Sequence, residues 1–310
     1  MPLPTGAAPG KVILFGEHAV VYGRAAIAAS IDRGLGATAE PDAQGPTLRV
    51  PGWGLEVHLG GAEGRFDAVA RGFAACLEVV GVTDRQVCVT VDGELPPSVG
   101  LGSSAAFAVA VLRCLASWQG RSLVGPGLLE AAHQVETVFH GTPSGLDHTV
   151  IAQGGCLRFV RGAAPAFTPV PLAAPVPVVI GWAPRAGSTH QAVAELRARR
   201  AALPALYEQL FDAIGAVTEA GVAALAAGDW ATLGRLFDLN HGYLNACGVS
   251  NVDNERMVAL ARSHGALGAK LTGAGLGGAV LALTPTGGDQ VRQALCEAGF
   301  QAMTTTLGRV

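Results

Sequence analysis

Between residues 97 and 106 the chain reads Pro97-Ser98-Val99-Gly100-Leu101-Gly102-Ser103-Ser104-Ala105-Ala106: a glycine turn, two serines, then an apolar run with helical character. Glycines open backbone conformations closed to other residues and let a ligand come close to the main chain. A helix beginning at Ser103 would aim its unpaired N–H groups and positive dipole end back at that turn. Such a corner binds phosphate with little help from side chains. The Gly-Lys-Ser/Thr ending of the common nucleotide loop is missing, so this would be a phosphate corner of another kind. A capped helix after a tight loop is the plainer reading of the same residues.

Three further constellations carry chemistry. Pro9-Gly10-Lys11 precedes a short apolar strand at 12–15, and Gly16-Glu17-His18 follows it, so one strand bears a cation at its start and two titratable groups at its end. Glu136 falls in the last turn of a helix and is followed by His140-Gly141-Thr142-Pro143-Ser144-Gly145-Leu146-Asp147, a tight turn after which Asp147 opens the next helical stretch. The segment from Thr272 to Gly278 has four glycines in seven residues, too many for an ordinary hairpin. Each has a plainer role: a solvated helix-end glutamate, a structural histidine, an aspartate helix cap, a glycine turn. Together they supply what phosphoryl transfer needs. There is an anion-binding loop, a serine and a carboxylate for Mg²⁺, a lysine for developing charge, and an aspartate to orient or deprotonate a hydroxyl. Of 21 basic residues only Lys11 and Lys270 are lysines, and both sit beside glycine motifs. A lysine kept in so arginine-rich a chain marks a place for a compact ammonium where a planar guanidinium will not do.

These residues need a scaffold, and 310 residues allow about two domains, each with its own core. Helical spacing runs over 66–80, 103–118, 128–139, 192–200, 203–227, 230–244, 254–264 and 290–298. Strand character marks 12–15, 87–91, 156–160, 178–182, 279–283 and 301–306; 25–31 is another apolar stretch, and 41–51 reads as loop. Mixed strands and helices without strict alternation predict an α+β fold. The Pro- and Ala-rich stretch 162–177 is taken as the approach to a domain boundary, giving domains 1–168 and 169–310. A net charge of −3 gives no field for nucleic acid or an anionic membrane. No cationic patch with a long apolar run opens the chain, so no signal peptide is expected. The runs at 176–182 and 279–283 are too short to span a bilayer. Six scattered cysteines without a C-x-x-C pair predict reduced, mostly buried thiols in a cytoplasmic protein.

The segments Ala8-Pro9-Gly10-Lys11, Gly16-Glu17-His18-Ala19-Val20-Val21-Tyr22-Gly23, Gly100-Leu101-Gly102-Ser103-Ser104-Ala105-Ala106, Pro143-Ser144-Gly145-Leu146-Asp147 and Lys270-Leu271-Thr272-Gly273-Ala274-Gly275 resemble the GHMP small-molecule kinases, in the family's order and from residue 8 to about residue 283. Within them the likeness is to the mevalonate-phosphorylating branch. Galactokinases continue Gly-Glu-His with an Asp-Tyr pair, whereas Ala19 and Val20 follow here. The resemblance implies a ribosomal-S5-like N-terminal domain, a ferredoxin-like C-terminal domain and an active site between them. It implies ATP and Mg²⁺ as cofactors, mevalonate as the small-molecule substrate, and a homodimer as the assembly to test. Pro97, Ser98, Gly100, Leu101, Gly102, Ser103, Ser104 and Ala105 would hold the nucleotide, and Ser104 and Glu136 the metal. Asp147 would take or orient the substrate hydroxyl's proton, and Lys11, paired with it, would keep it ionised. Glu17, His18, Ser188, Thr189, Gly273 and Ala274 would line the substrate side, with Arg185 near the carboxylate. A kinase for a sugar or another hydroxy acid, and a non-catalytic nucleotide sensor, are the alternative readings.

Overall fold

The computed structural model describes residues 3–59, 67–83, 85–141, 143–162, 166–184 and 189–308. The chain begins with β1 (Thr5–Phe15), a 3-10 turn (Ala19–Tyr22), β2 (Ala25–Pro41), β3 (Thr47–Val50), a second 3-10 turn (Pro51–Trp53) and β4 (Leu55–His58). It continues through α1 (Asp67–Val80), β5 (Val87–Gly93), α2 (Ser103–Trp118), α3 (Gly125–His140), α4 (Leu146–Gln153), β6 (Cys156–Val160), β7 (Ala166–Pro169) and β8 (Val176–Trp182). Then come α5 (Thr189–Ala202), α6 (Pro204–Ala227), α7 (Trp230–Ala246), α8 (Val252–Ser263), β9 (Gly268–Thr272), β10 (Ala279–Leu283), α9 (Gly288–Glu297) and β11 (Gln301–Leu307). The fold is α+β, as the pattern predicts.

Two compact units emerge. The first comprises Met1–Lys11, Arg33–Pro97 and Leu101–Gly154; the second comprises Val12–Asp32, Ser98–Gly100 and Gly155–Val310. In the first, the later half of β2 pairs antiparallel with β5, from Leu35 opposite Gly93 to Pro41 opposite Val87. On its other side β5 takes β3 in parallel, and β4 closes the edge antiparallel to β3. Helix α2 packs on β5, and α1, α3 and α4 pack on α2. Eleven of the sixteen α2 residues are buried, which is why its sequence is almost continuously apolar.

In the second unit, β11, β8, β10 and β9 form an antiparallel run, with Leu281 of β10 facing both Ile180 and Lys270. Helices α8 and α9 close it with a core of Val179, Met257, Val258, Val280, Leu295 and Phe300. The early half of β2 pairs with β6, and its Ile31 meets Leu307 of β11. Helix α6 is, among the described residues, the one helix long and apolar enough to cross a membrane. Here it packs as a core helix: Phe211 and Ile214 join Leu196, Leu244 and Leu271, and Tyr22 stacks on Phe211 at 4.6 Å. All six cysteines are free, five of them buried and Cys296 exposed.

Three segments differ from expectation. Residues 41–51, expected as loop, contain β3, whose pairing partner β5 lies some forty positions later and is invisible to a local reading. The apolar stretch 25–31 opens β2, which runs on to Pro41; its later half does alternate, but after Leu35 the inward residues are only Ala37 and Ala39, too small to stand out. The Pro- and Ala-rich stretch at 162–177 holds β7, which pairs with β6 along an edge.

The Thr272–Gly278 segment, in the second unit, packs against the backbone at Val249. Gly275 sits at φ 75°, and a Cβ there would lie 2.0 Å from the Val249 carbonyl oxygen. Gly273 has a similar φ of 76° but open space around it. Gly275→Ala is therefore expected to cost roughly 2–4 kcal/mol of stability, and Gly273→Ala about 1 kcal/mol, read as shifts in urea midpoint. Equal shifts for the two variants would contradict the packing described.

Candidate active site

In the first unit, β1 delivers Lys11 and α4 delivers Asp147. Lys11 lies within β1, past its midpoint, not at a strand start as the sequence suggested; its amide donates to the Leu101 carbonyl at 2.9 Å, so the strand is fixed to the glycine turn. The lysine stem then passes over Gly102, where a Cβ would lie 2.9 Å from Lys11 Cγ and equally close to Ile151. Gly102 itself adopts φ 74° and caps α2 without a side-chain bond, leaving the first-turn N–H groups without a capping side chain. Ser98 at φ 65° and Gly100 at φ 88° take similarly unusual backbone conformations. Asp147 occupies the first turn of α4, which follows Gly145 in the left-handed conformation and a turn in which Leu146 donates to Ser144 Oγ. Lys11 Nζ and Asp147 Oδ2 meet at 3.0 Å, with the lysine side chain 5% and the aspartate side chain 36% exposed.

Glu136, Ser104 and His140 form a second group in this unit. Glu136 is buried, and its Oε1 has no hydrogen-bond partner. His140 Nε2 lies 3.1 Å from Ser104 Oγ and 3.9 Å from Glu136 Oε2. Burial, and secondarily the Asp147 charge, push the Glu136 carboxyl up to about 7, while Ser104 and Lys11 pull the other way. A buried, orphaned carboxylate oxygen beside a serine hydroxyl is a donor set suited to a hard cation. Among the described residues no three His, Cys, Asp or Glu side chains cluster as a metal cage. The donors present fit an ion such as Mg²⁺, which keeps water and substrate oxygens in its shell. Beside Asp147, burial holds His148 down to about 4, so its ring is neutral near pH 7.

The second unit holds the other group. Glu17 and Lys270 are fully buried and form an ion pair. Asn240 Nδ2 donates to the other Glu17 carboxylate oxygen at 3.1 Å, and Lys270 Nζ also donates to its neighbour Leu271 O at 2.7 Å. Burial pushes the Lys270 ammonium down, and the Glu17 charge opposes that shift. His18 Nε2 donates to the Ala274 carbonyl at 3.0 Å, and burial lowers its pKa despite that bond. The neutral ring thus carries its proton on Nε2 and leaves Nδ1 as an acceptor. Of the remaining expected substrate residues, Thr189 opens α5 and Gly273 and Ala274 follow β9, whereas Arg185 and Ser188 lie outside the described residues.

Residues 66–155 match the family model for the GHMP kinases N terminal domain, and residues 222–301 that for the GHMP kinases C terminal domain. The mevalonate kinase of Thermococcus gammatolerans is 35% identical, covering 98% of this chain and 96% of the relative. That of Pyrococcus furiosus is 34% identical with the same coverage. The chain belongs to the GHMP kinases, in the mevalonate kinase family. Among solved structures, that of L. major mevalonate kinase in complex with R-mevalonate aligns with a TM-score of 0.86 at 29% identity, covering 99% of this chain and 96% of that one. The Methanococcus jannaschii mevalonate kinase shares the fold, at a TM-score of 0.86, 23% identity and 99% of both chains.

Two polar residues in this GHMP kinase's site groups, His140 and Asn240, have no role in the motif reading. His140 carried a signal that was there to use, since it stands four residues after Glu136 and so on the same helix face. Asn240 carried none; it is one polar residue in an amphipathic helix, over two hundred positions from its partner. Lys270 stood out by composition, but its partner Glu17 was not predictable from spacing.

Glu136 gives a pH test. A carboxyl whose folded pKa of about 7 exceeds its usual 4.5 favours the protonated fold, so its contribution to stability falls as pH rises across that window. Without divalent cations or nucleotide, Glu136→Gln should match the parent in stability at pH 4.5 or below. It should exceed the parent at pH 8, by at most about 3 kcal/mol. Thermal melts at both values check this, and a pH-independent difference would contradict it.

Proposed function

We infer that this chain transfers the γ-phosphoryl group of ATP to the C5 hydroxyl of (R)-mevalonate, giving 5-phosphomevalonate and ADP. The observation that carries the reading is the Lys11–Asp147 pair at 3.0 Å, set beside the uncapped N-terminus of α2. The nucleotide phosphates would lie against the main chain of Pro97, Ser98, Gly100, Leu101, Gly102, Ser103, Ser104 and Ala105, where first-turn N–H groups and the helix dipole favour anions. Asp147, half-open to solvent, would accept the hydroxyl proton or orient it toward the phosphorus. Lys11 would offset the charge that gathers on the transferred group. Ser104 and Glu136 would hold Mg²⁺ through oxygen. That ion, when bound, neutralises the β- and γ-phosphate oxygens.

On the substrate side, the neutral His18 ring offers an acceptor, which suits a hydroxyl rather than a carboxylate. Glu17 would act there indirectly, because Lys270 and Asn240 already hold both its oxygens. Gly273, Ala274, Ser188 and Thr189 complete the proposed substrate side, and a homodimer remains the assembly to test. The division at 168/169 is part of the same proposal; the two family matches, 66–155 and 222–301, fall one on each side of it.

The direct test is ADP release by purified protein with Mg²⁺-ATP and, in turn, (R)-mevalonate, phosphomevalonate, galactose and homoserine. Turnover on mevalonate alone is expected; turnover on another of the four would overturn the substrate assignment. Asp147→Asn should lower kcat by on the order of 10²–10⁴ with the KM for ATP within about threefold. Near-normal kcat in that variant would remove Asp147 from the chemistry.

A further inference from the structure

The backbone at His18 is strained. Its φ of 62° and ψ of −47° lie outside the regions open to a side chain with a Cβ, and the Ala19 amide donates back to the Glu17 carbonyl at 2.7 Å. That is a three-residue γ-turn of the positive-φ kind, rare because it is strained. A residue held so costs on the order of 1–3 kcal/mol and persists only when its surroundings over-determine it. The surroundings here can be named. Immediately before the turn, Glu17 is buried with one carboxylate oxygen on Lys270 and the other on Asn240 of α7. Immediately after it, Ala19 is buried in the core with Phe211 and Leu271, and Tyr22 is stacked on Phe211.

The chain at the end of β1 and that at the end of β9 are tied at further points, all within the second unit. Thr272 Oγ1 donates to the Ile13 carbonyl at 2.8 Å, and the His18 ring reaches the Ala274 carbonyl at 3.0 Å. The Leu271 amide, in turn, points to His241 Nδ1 at 3.3 Å, so α7 bonds to β9 with the residue next to Asn240. The glycine segment that begins at Gly273 is thus joined to the end of β1 on both sides of the buried ion pair.

A fully buried ion pair is weak evidence for stability. Two charges taken out of water often cost more than their attraction returns, and well-packed apolar replacements are frequently neutral. A chain with so few lysines nonetheless places one of them here, 0% exposed, against a glutamate that is equally closed. Holding a shape accounts for this better than adding stability.

We propose that Lys270, assisted by Asn240, is a positioning residue: through Glu17 it locks the γ-turn that aims the His18 ring at Ala274. The ring's Nε2–H then stays on the Ala274 carbonyl, its Nδ1 stays fixed, and the start of the glycine segment is held with it. This rests on the reading above that His18 faces the hydroxy-acid substrate. Loss of the lock therefore falls on mevalonate and spares ATP.

The test compares the parent with Glu17→Leu/Lys270→Met, a double variant that leaves no buried charge unpaired. Two readouts are taken: KM for mevalonate against KM for ATP, and the ¹⁵N-detected tautomer signal of the His18 ring, assigned with His18→Gln. The expected result is a melting temperature close to the parent, a rise of tenfold or more in KM for mevalonate, and a KM for ATP within twofold. The persistent His18 Nε2–H signal seen in the parent is lost. Unchanged KM for mevalonate with an unchanged His18 signal would overturn the proposal and leave the ion pair as packing. Should the double variant fail to fold, Asn240→Leu carries the test, with about a threefold rise in KM for mevalonate and a weakened His18 signal expected; no change in either overturns it. If the parent does not turn over mevalonate, the substrate reading fails by itself. The His18 signal then still decides whether Lys270 sets the turn.

Discussion

Lys11 and Asp147 stand 3.0 Å apart, and the surrounding part of the first unit is arranged around keeping them there. At that distance two unit charges attract by about 5 kcal/mol at an effective dielectric near 20, before the cost of drawing a nearly buried ammonium out of water. The attraction is useful only if the geometry is held by other means. The Leu101 carbonyl fixes the Lys11 main chain, Gly102 leaves room for the lysine stem, and Gly145 turns the chain so that Asp147 falls in the first turn of α4. Both glycines adopt positive φ, at 74° and 88°, and at Gly102 a side chain would also collide with the lysine itself. The glycine turn therefore does two things at once: it opens the α2 N-terminus and makes space for the cation beside it.

The same economy explains the electrostatics around Glu136. Its oxygen is buried without a partner, and its carboxyl is held near neutrality in part by Asp147. The Asp147 charge disfavours ionisation of the buried Glu136 carboxyl, and a divalent cation is the natural relief for that conflict. Ser104 and His140 are the neighbours of that carboxylate, with the serine hydroxyl 3.1 Å from the imidazole Nε2, so the ring competes for the oxygen an ion would use.

Much of this was legible in the sequence, and the limits follow a physical rule. Helix α2 was readable residue for residue because burial on nearly all sides forces a continuous apolar run bounded by glycine. Asp147 and Lys11 were readable because short motifs with glycine and proline fix local backbone, and the chemistry of such a set is narrow. Strand β3 was not readable, since its place depends on β5, far along the chain. Glu17 shows the subtler limit. Its type and position suggested contact with substrate, but a carboxylate's task depends on what faces it, and Lys270 and Asn240 come from β9 and α7. Leu276 is similar: it interrupts a glycine run in the sequence, yet adopts φ 51° and donates its amide to Val249 as a glycine would.

Under the proposed function Lys11 and Asp147 act as one unit in catalysis, and a double-mutant cycle on kcat measures that directly. Lys11→Met, Asp147→Asn and the combined variant would be compared with the parent in single-turnover ADP formation on mevalonate. Strong non-additivity is expected, with the double variant about as slow as the slower single variant. Losses that multiply, each residue contributing independently of the other, would contradict it.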